Sequence, residues 1–208
     1  MVTVRFSSPV MQNEVAYILH EAERLKAEII RVHGNLAEVQ VYEATGGIKI
    51  GEAVEFTGEL LSAELGPGML GQIFDGLQNP LPEIAEECGF FLQRGVYKKA
   101  LSDTRTWDFT PLVKPGDRVR AGDKIGFVVE NTFRHYCMVP FSWRGNFEVV
   151  SVEPANTFTL REAVASIRNA DNRIHPVYLT QNWPVKIPIR AYAEKLKPGE
   201  PLVTKMRL

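Results

Sequence analysis

Two Gly-Asp pairs, six residues apart, mark the stretch that decides the fold, residues 113–126 (VKPGDRVRAGDKIG). Each pair suits a tight turn, because glycine adopts positive φ and an aspartate side chain accepts hydrogen bonds from nearby backbone amides. Val119 and Ile125 then fall on the buried side of the strands that flank these turns. The stretch therefore predicts short β-strands joined by tight turns.

The sequence before this stretch has the pattern of a small β-barrel. Short alternating or β-branched runs predict strands at residues 2–6, 15–19, 28–33, 37–42 and 53–56. Turn formers lie between them, at Gly34-Asn35 and Thr45-Gly46-Gly47, with the spacing of a small antiparallel barrel. We predict a mainly β fold that begins with a six-stranded-type β-barrel.

A connector with short helices is predicted next. Apolar residues recur there at helical spacing, at Met69, Leu70, Ile73, Phe74 and Leu77. Gly76, Pro80 and Pro82 keep this helix short. Residues 81–88 supply a second helical turn.

The sequence pattern that predicts strands and tight turns returns at Gly95 and continues to about Leu179. Residues 169–172 (NADN) suit a turn between strands at 164–167 and 174–179. A helix over residues 160–170 is the alternative. A second β module is the simplest interpretation.

The composition excludes several classes of protein. The chain has 208 residues, of which 45% are hydrophobic, so it can bury a sizeable core. Its net charge is −1, from 24 basic and 25 acidic residues, and does not indicate binding to nucleic acids or to anionic membranes. No apolar run is long enough to span a bilayer, and the N-terminus lacks the pattern of a secretion signal. The two cysteines, Cys88 and Cys137, lie in apolar sequence and predict reduced thiols in a cytoplasmic protein.

One motif imitates a dinucleotide site. Residues 66–71 (GPGMLG) form a literal G-x-G-x-x-G. A dinucleotide fold needs a βαβ unit around the motif, whereas Pro80, Pro82 and a long β stretch follow here. A tight connection that leaves the barrel is the favoured interpretation.

Other catalytic patterns are missing from the sequence. It contains neither G-x-x-x-x-G-K-[ST], which cradles phosphates, nor G-x-S-x-G, which places a nucleophilic serine. The adjacent Glu86 and Glu87 splay apart on a helix or strand and make a poor acid/base pair. The four histidines lack metal-ligand spacing and are interpreted as partly exposed strand residues: His20, His33, His135 and His175. We predict no catalytic, cofactor-binding or metal-ligating residue in this chain.

The three tryptophans, Trp107, Trp143 and Trp183, favour core packing when each is taken alone, although large aromatics also mark interfaces. Trp183 is followed by Pro184 and Pro188, which enforce an extended segment. That segment is either a strap along another domain or a simple linker, and the two interpretations stand equal.

Four groups of residues together resemble one family, the catalytic A (alpha) subunits of V-type and A-type rotary ATPases. Residues 65–81 (LGPGMLGQIFDGLQNPL) are the most specific and resemble the exit from that family's barrel, and residues 40–47 (QVYEATGG) resemble its end. A third group resembles the insertion that distinguishes A subunits. It consists of the double Gly-Asp segment and residues 94–96 (RGV), 107–109 (WDF) and 138–140 (MVP). Residues 183–185 (WPV) and 195–204 (KLKPGEPLVT) look like the lead-in to the nucleotide-binding domain.

The resemblance implies a barrel at 1–66, a connector at 67–88, an inserted, protruding module like a barrel-sandwich hybrid at 89–182, and an extended lead-in at 183–208. It implies a parent subunit that hydrolyses or makes ATP, with Mg, in an A3B3 ring coupled to proton or sodium transport. The chain reaches Leu208 before the phosphate-binding loop, so we expect an N-terminal portion that is inactive alone and binds no cofactor. Its implied work is to hold the ring together and to contact B subunits and the central and peripheral stalks, at the periphery of the membrane.

Two rival functions remain in view. The double Gly-Asp segment also resembles biotinyl and lipoyl carrier domains, but residues 130–135 (ENTFRH) offer no lysine for a cofactor. A stand-alone β-rich binding protein is the second rival. Within the family interpretation, we place Arg134 and Trp143 at a subunit contact, because an arginine and an aromatic near a β-turn suit an interface.

Overall fold

The computed structural model describes residues 1–89 and 91–192, together with 194, 195, 197 and 199. Within these residues the chain forms fifteen strands and one helix, which confirms the mainly β fold. The end of the predicted lead-in, residues 201–208, lies outside the described residues.

The first five strands form one antiparallel sheet in the order β1-β4-β3-β2-β5. They are β1 (Val2–Arg5), β2 (Glu14–His20), β3 (Glu23–His33), β4 (Leu36–Val41) and β5 (Val54–Leu60). Each predicted strand of this region is present, and β3 begins five residues earlier than predicted. The alternating apolar residues pack into one buried cluster, which includes Ile18, Leu25, Ile29 and Val39.

The outer strands β1 and β5 face each other without pairing. Phe6, just after β1, meets Phe56 of β5 edge to face, with ring centroids 6.3 Å apart. A groove of about 970 Å³ lies between the two strands. The predicted six-stranded barrel is therefore a five-stranded open sheet in the described chain, because the next strand, β6 (Ser62–Leu65), pairs elsewhere.

The connector is mostly irregular, and the helix predicted from the apolar spacing at residues 69–77 is wrong. Gly68 and Gly71 take positive φ, which interrupts any helix there. The Asp75 carboxylate accepts hydrogen bonds from the backbone amides of Leu77 and Asn79 and so builds a turn. The single described helix is α1 (Leu81–Cys88), where the second helical turn was predicted.

The second β module is a sandwich of two four-stranded sheets with orders β10-β9-β7-β12 and β14-β13-β11-β8. The first sheet contains β7 (Thr106–Pro111), β9 (Lys124–Glu130), β10 (Phe133–Met138) and β12 (Asn156–Thr159). The second contains β8 (Arg118–Arg120), β11 (Asn146–Val152), β13 (Ala163–Arg168) and β14 (Ile174–Tyr178). One apolar core fills the space between them and includes Trp107, Phe109, Val149 and Ile167.

Both Gly-Asp turns form as predicted. The Asp117 carboxylate accepts a hydrogen bond from the Lys114 amide, and the Asp123 carboxylate accepts one from the Arg120 amide, each at 2.9 Å. Val119 and Ile125 are buried, as expected. Strands β13 and β14 pair around residues 169–172, so the hairpin is confirmed and the alternative helix is wrong.

The last strand, β15 (Gln181–Pro184), pairs antiparallel with β6. The chain thus leaves the first sheet at β6, builds the whole sandwich, and returns to lie beside β6. Beyond β15, the Val185 amide donates to the Leu61 carbonyl at 2.9 Å. Of the two interpretations of the proline-rich segment, the structure supports the strap, which we define as residues 185–192.

Candidate functional site

The G-x-G-x-x-G loop at residues 66–71 binds a carboxylate of the chain itself. The backbone amides of Gly68 and Leu70 donate to Glu130 Oε1 at 2.8 and 3.0 Å. Glu130 is only 3% exposed, and His135 Nδ1 lies 3.2 Å from its other oxygen. The loop therefore acts as a small anion-binding nest whose anion is supplied from the end of β9.

Close packing fixes the same loop from the other side. A Cβ on Gly66 would lie 2.5 Å from Cγ2 of Thr180, and one on Gly68 would lie 3.4 Å from the Trp107 ring. No helix begins at this loop among the described residues. The geometry is that of a junction between connector and sandwich.

A second junction ties residues 91–105, which lie between α1 and β7 without a strand and continue the connector, to the first sheet. The Lys26 amide donates to the Tyr97 hydroxyl at 2.6 Å, and that hydroxyl donates to Glu43. The other Glu43 oxygen accepts from the Gly95 amide at 2.7 Å. Burial raises the pKa of Tyr97, and the Glu43 carboxylate raises it further, so the hydroxyl stays protonated as a donor.

Arg94 strengthens this second junction. Its guanidinium donates to the carbonyls of Ala44 and Gly46 at 3.1 and 2.7 Å and pairs with Glu23. The hydrogen bond to Glu23 raises the pKa of Arg94. The residues 94–96, which were singled out by resemblance, therefore hold the connector against the end of the first sheet.

A third junction clamps the strap to the first sheet. Lys186 Nζ lies 2.6 Å from Oε1 of the buried Glu28 and donates to Asn13 Oδ1 at 3.1 Å. The Tyr42 hydroxyl donates to the other Glu28 oxygen at 2.8 Å. Burial raises the pKa of Tyr42, with a further contribution from Glu28. The three junctions together fasten the connector, the sandwich and the strap to one another and to the first sheet.

One of the four histidines, His20, differs from the prediction in its exposure to solvent. His20 is 5% exposed and its Nδ1 lies 2.6 Å from Glu52 Oε1, so it is a buried residue and not a partly exposed one. The hydrogen bond from His20 lowers the pKa of Glu52. His175 packs on Trp143, with ring centroids 5.2 Å apart. Among the described residues, no group of acidic, histidine and cysteine side chains is arranged to hold a metal ion.

The structure separates the two residues that we place at a subunit contact. Arg134 is exposed on β10, at the edge of the first sandwich sheet. Trp143 is half-buried against the core and stacks with Phe147 of β11 at 5.5 Å. Arg134 is thus available to a partner, whereas Trp143 mainly packs.

The other residues named from the sequence are tryptophans, cysteines and glutamates, which pack in the core, hydrogen-bond to the backbone or lie exposed. Trp107 lies in the sandwich core, and the Trp183 indole donates to the Ile187 carbonyl at 2.6 Å. Cys88 and Cys137 are free thiols, and burial raises the pKa of Cys137 to about 12. Glu86 and Glu87 are exposed on α1. The hairpin between β9 and β10 turns at Asn131 and Thr132, the position where a carrier domain would need its lysine.

Sequence reasoning missed the residues that make the junctions, above all Glu130, Glu43 and Lys186. One signal for Glu130 was available, since a lone carboxylate ends the apolar run at residues 125–129 (IGFVV). A buried acid at a strand end needs donors, and a glycine-rich loop supplies them. The partners of Glu43 and Lys186 lie far away in sequence and carry no comparable signal.

Comparison with known proteins gives consistent matches along the chain. Residues 1–58 match the model of the ATP synthase alpha/beta family, beta-barrel domain, and residues 98–186 match the ATP synthase alpha/beta subunit barrel-sandwich domain. No helix in the described part of the chain is long and apolar enough to cross a membrane.

Curated relatives match the chain from end to end. The V-type ATP synthase alpha chain of Treponema denticola is 48% identical over all of this chain, and alpha chain 1 of Treponema pallidum is 51% identical. The alpha chain of Borrelia garinii is 46% identical. The chain spans only 35–36% of the length of these relatives and corresponds to their N-terminal region.

Proposed function

The chain belongs to the ATP synthase alpha/beta family, and on that basis we propose that it is the N-terminal structural and assembly region of a catalytic V-type ATPase alpha chain. Its parent hydrolyses or makes ATP and couples that reaction to proton or sodium movement across a membrane. The parent works at the membrane periphery, on its cytoplasmic side. ATP, ADP and Mg are bound by the parent outside residues 1–208.

The observation that carries the proposal is identity of 48–51% to alpha chains along the entire sequence. The match therefore includes the connector and the strap as well as the two β domains. These are the parts that make the three junctions.

The junctions explain how such a region works in an assembly. A ring of alternating subunits needs a firm platform while its catalytic domains open and close. Buried, hydrogen-bonded carboxylates such as Glu28 and Glu130 resist separation of the parts they join, because separation would leave polar groups without hydrogen-bond partners. The first sheet then serves as the platform, and the sandwich presents a surface to beta chains or stalk subunits.

A chimera tests the proposal. Residues 1–208 replace the matching N-terminal region of the Treponema denticola alpha chain, which is expressed with the beta chain of the same organism. We expect an assembled ring by native mass spectrometry and ATP hydrolysis that depends on Mg. Residues 1–208 alone, mixed with the same beta chain, are the control and should hydrolyse no ATP. A soluble, folded chimera that fails to assemble would contradict the proposed role.

A further inference from the structure

The hairpin of β9 and β10 carries a row of aromatic, aliphatic and basic side chains on its outer side, of which the aromatic ones are half-buried. We call the outward side chains of Lys124, Phe127, Val129, Arg134 and Tyr136 the hairpin face. The pairing register places Val129 opposite Arg134 and Phe127 opposite Tyr136, so the four point to the same side of the sheet. Val129 is 59% exposed, although β9 is an inner strand of its sheet.

The cations of the hairpin face lie on its rings. Lys124 Nζ lies 3.9 Å from the Tyr136 ring centroid, and the Arg134 guanidinium lies 5.0 Å from that of Phe127. Neither cation forms an ion pair within the described residues. The carboxylate of Asp108 on β7 is engaged by the Thr157 hydroxyl at 2.8 Å. The hairpin face therefore holds positive charge ready for an acidic partner.

Strand β10 also ends its sheet. It pairs only with β9 in the described chain, so its outer peptide groups are free to pair with an added strand. A groove of about 160 Å³ runs along this edge, between β10 and residues 178–181. Its lining combines apolar side chains, including Leu65, Met138, Phe141 and Leu179, with polar ones such as His135 and Gln181.

We propose that β10 and the hairpin face dock an extended segment of a partner chain, in which acidic residues alternate with apolar ones. The segment adds to the sheet as a strand beside β10, as in other cases of strand addition. Its acidic side chains meet Arg134 and Lys124, and its apolar side chains enter the groove. The inference rests on the proposed function, because the partner is a subunit of the same assembly, and it names the chemistry of the contact.

The probe is a synthetic seven-residue peptide of alternating valine and glutamate, titrated into the 208-residue chain and followed by backbone amide NMR shifts. A peptide of alternating valine and lysine is the control ligand. We expect the glutamate peptide to shift the amides of residues 133–138 and to bind more tightly than the lysine peptide. The double variant Lys124→Glu/Arg134→Glu should weaken binding about tenfold or more, which is the effect of losing close charge pairs.

Arg144→Glu is the matched control variant, because Arg144 is an exposed arginine outside the hairpin. It should leave the affinity for the glutamate peptide unchanged. Equal binding of the two peptides, shifts confined to other residues, or equal weakening by Arg144→Glu would each overturn the inference. Assembly of the chimera with an intact hairpin tests the proposed function separately, so the two failures are distinguishable.

Discussion

At the scale of single residues, Glu130 shows that a loop with the sequence motif of a nucleotide-binding loop can have a different structural role. The amides that would face a phosphate in a dinucleotide fold are occupied by its carboxylate. The charge is nearly inaccessible to water, and the amides that bind it come from a segment about 60 residues earlier in the chain. The hydrogen bonds therefore couple the sandwich core to the connector.

Replacing Glu130 should loosen that coupling. Glu130→Ala removes the charged acceptor that the Gly68 and Leu70 amides share, which should lower the free energy of unfolding by about 1–3 kcal/mol. Glu130→Gln keeps one acceptor oxygen and should cost less. Urea unfolding at neutral pH measures both, with Glu148→Ala at an exposed strand position as the control. An effect of Glu130→Ala no larger than that of Glu148→Ala would contradict the assignment.

At the scale of elements, the Gly-Asp turns do more than connect strands. Gly122 takes a φ of +84°, and a Cβ at this position would lie 2.6 Å from the Ala191 carbonyl oxygen. Gly116 takes a similar φ of +92° with open space around it. The second turn therefore supports the strap, whereas the first only turns the chain.

These two glycines form a matched pair for mutation. Gly116→Ala should lower the free energy of unfolding by roughly 1–2 kcal/mol, the strain of a left-handed conformation in a residue with a Cβ. Gly122→Ala bears the same strain and a steric clash as well. This substitution should therefore lower the free energy of unfolding further and shift the amide resonances of residues 190–192. Equal effects of the two substitutions on urea unfolding would show that the strap does not press on Gly122.

The predictable elements were those with local causes. Alternation predicted the five strands of the first sheet, and turn chemistry predicted both Gly-Asp turns and the hairpin at residues 169–172. The helix at residues 69–77 failed because Gly68 and Gly71 take positive φ, and Ile73 is accordingly 64% exposed. The pairing of β6 with β15 leaves no local signal, since it joins segments far apart in sequence.

At the scale of the whole molecule, ionic contacts tie distant segments together. The Asp103 carboxylate pairs with Lys99 and lies 2.6 Å from Nε of Arg161, whose guanidinium also reaches Glu64 of β6 at 3.4 Å. Lys99, followed by Arg161, lowers the pKa of Asp103 below its ordinary value of 3.8. The segment before β7, the turn before β13 and strand β6 thus share one network.

This lowered pKa predicts an acid dependence of stability. A depressed carboxyl pKa stabilises the folded chain above the ordinary value of 3.8, and the contribution is lost as the pH falls through the folded pKa. Asp103→Asn should therefore reduce the urea midpoint at pH 7, and the difference from the parent chain should shrink below about pH 4. Asp171→Asn, at an exposed turn, is the control. A difference that persists unchanged in acid would contradict the ionic origin.

The pairing of β6 with β15 has a consequence for the order of synthesis. Residues 66–180 lie between the two strands, so β6 leaves the ribosome long before its partner exists. At a translation speed of about 5–20 residues per second, β6 waits roughly 6–23 s before the strand it pairs with is made. The last sandwich strand, β14, is made only just before β15, so the sandwich completes its fold at the end of that interval and then brings β15 to β6. The timing of this folding determines when the first sheet gains its strap.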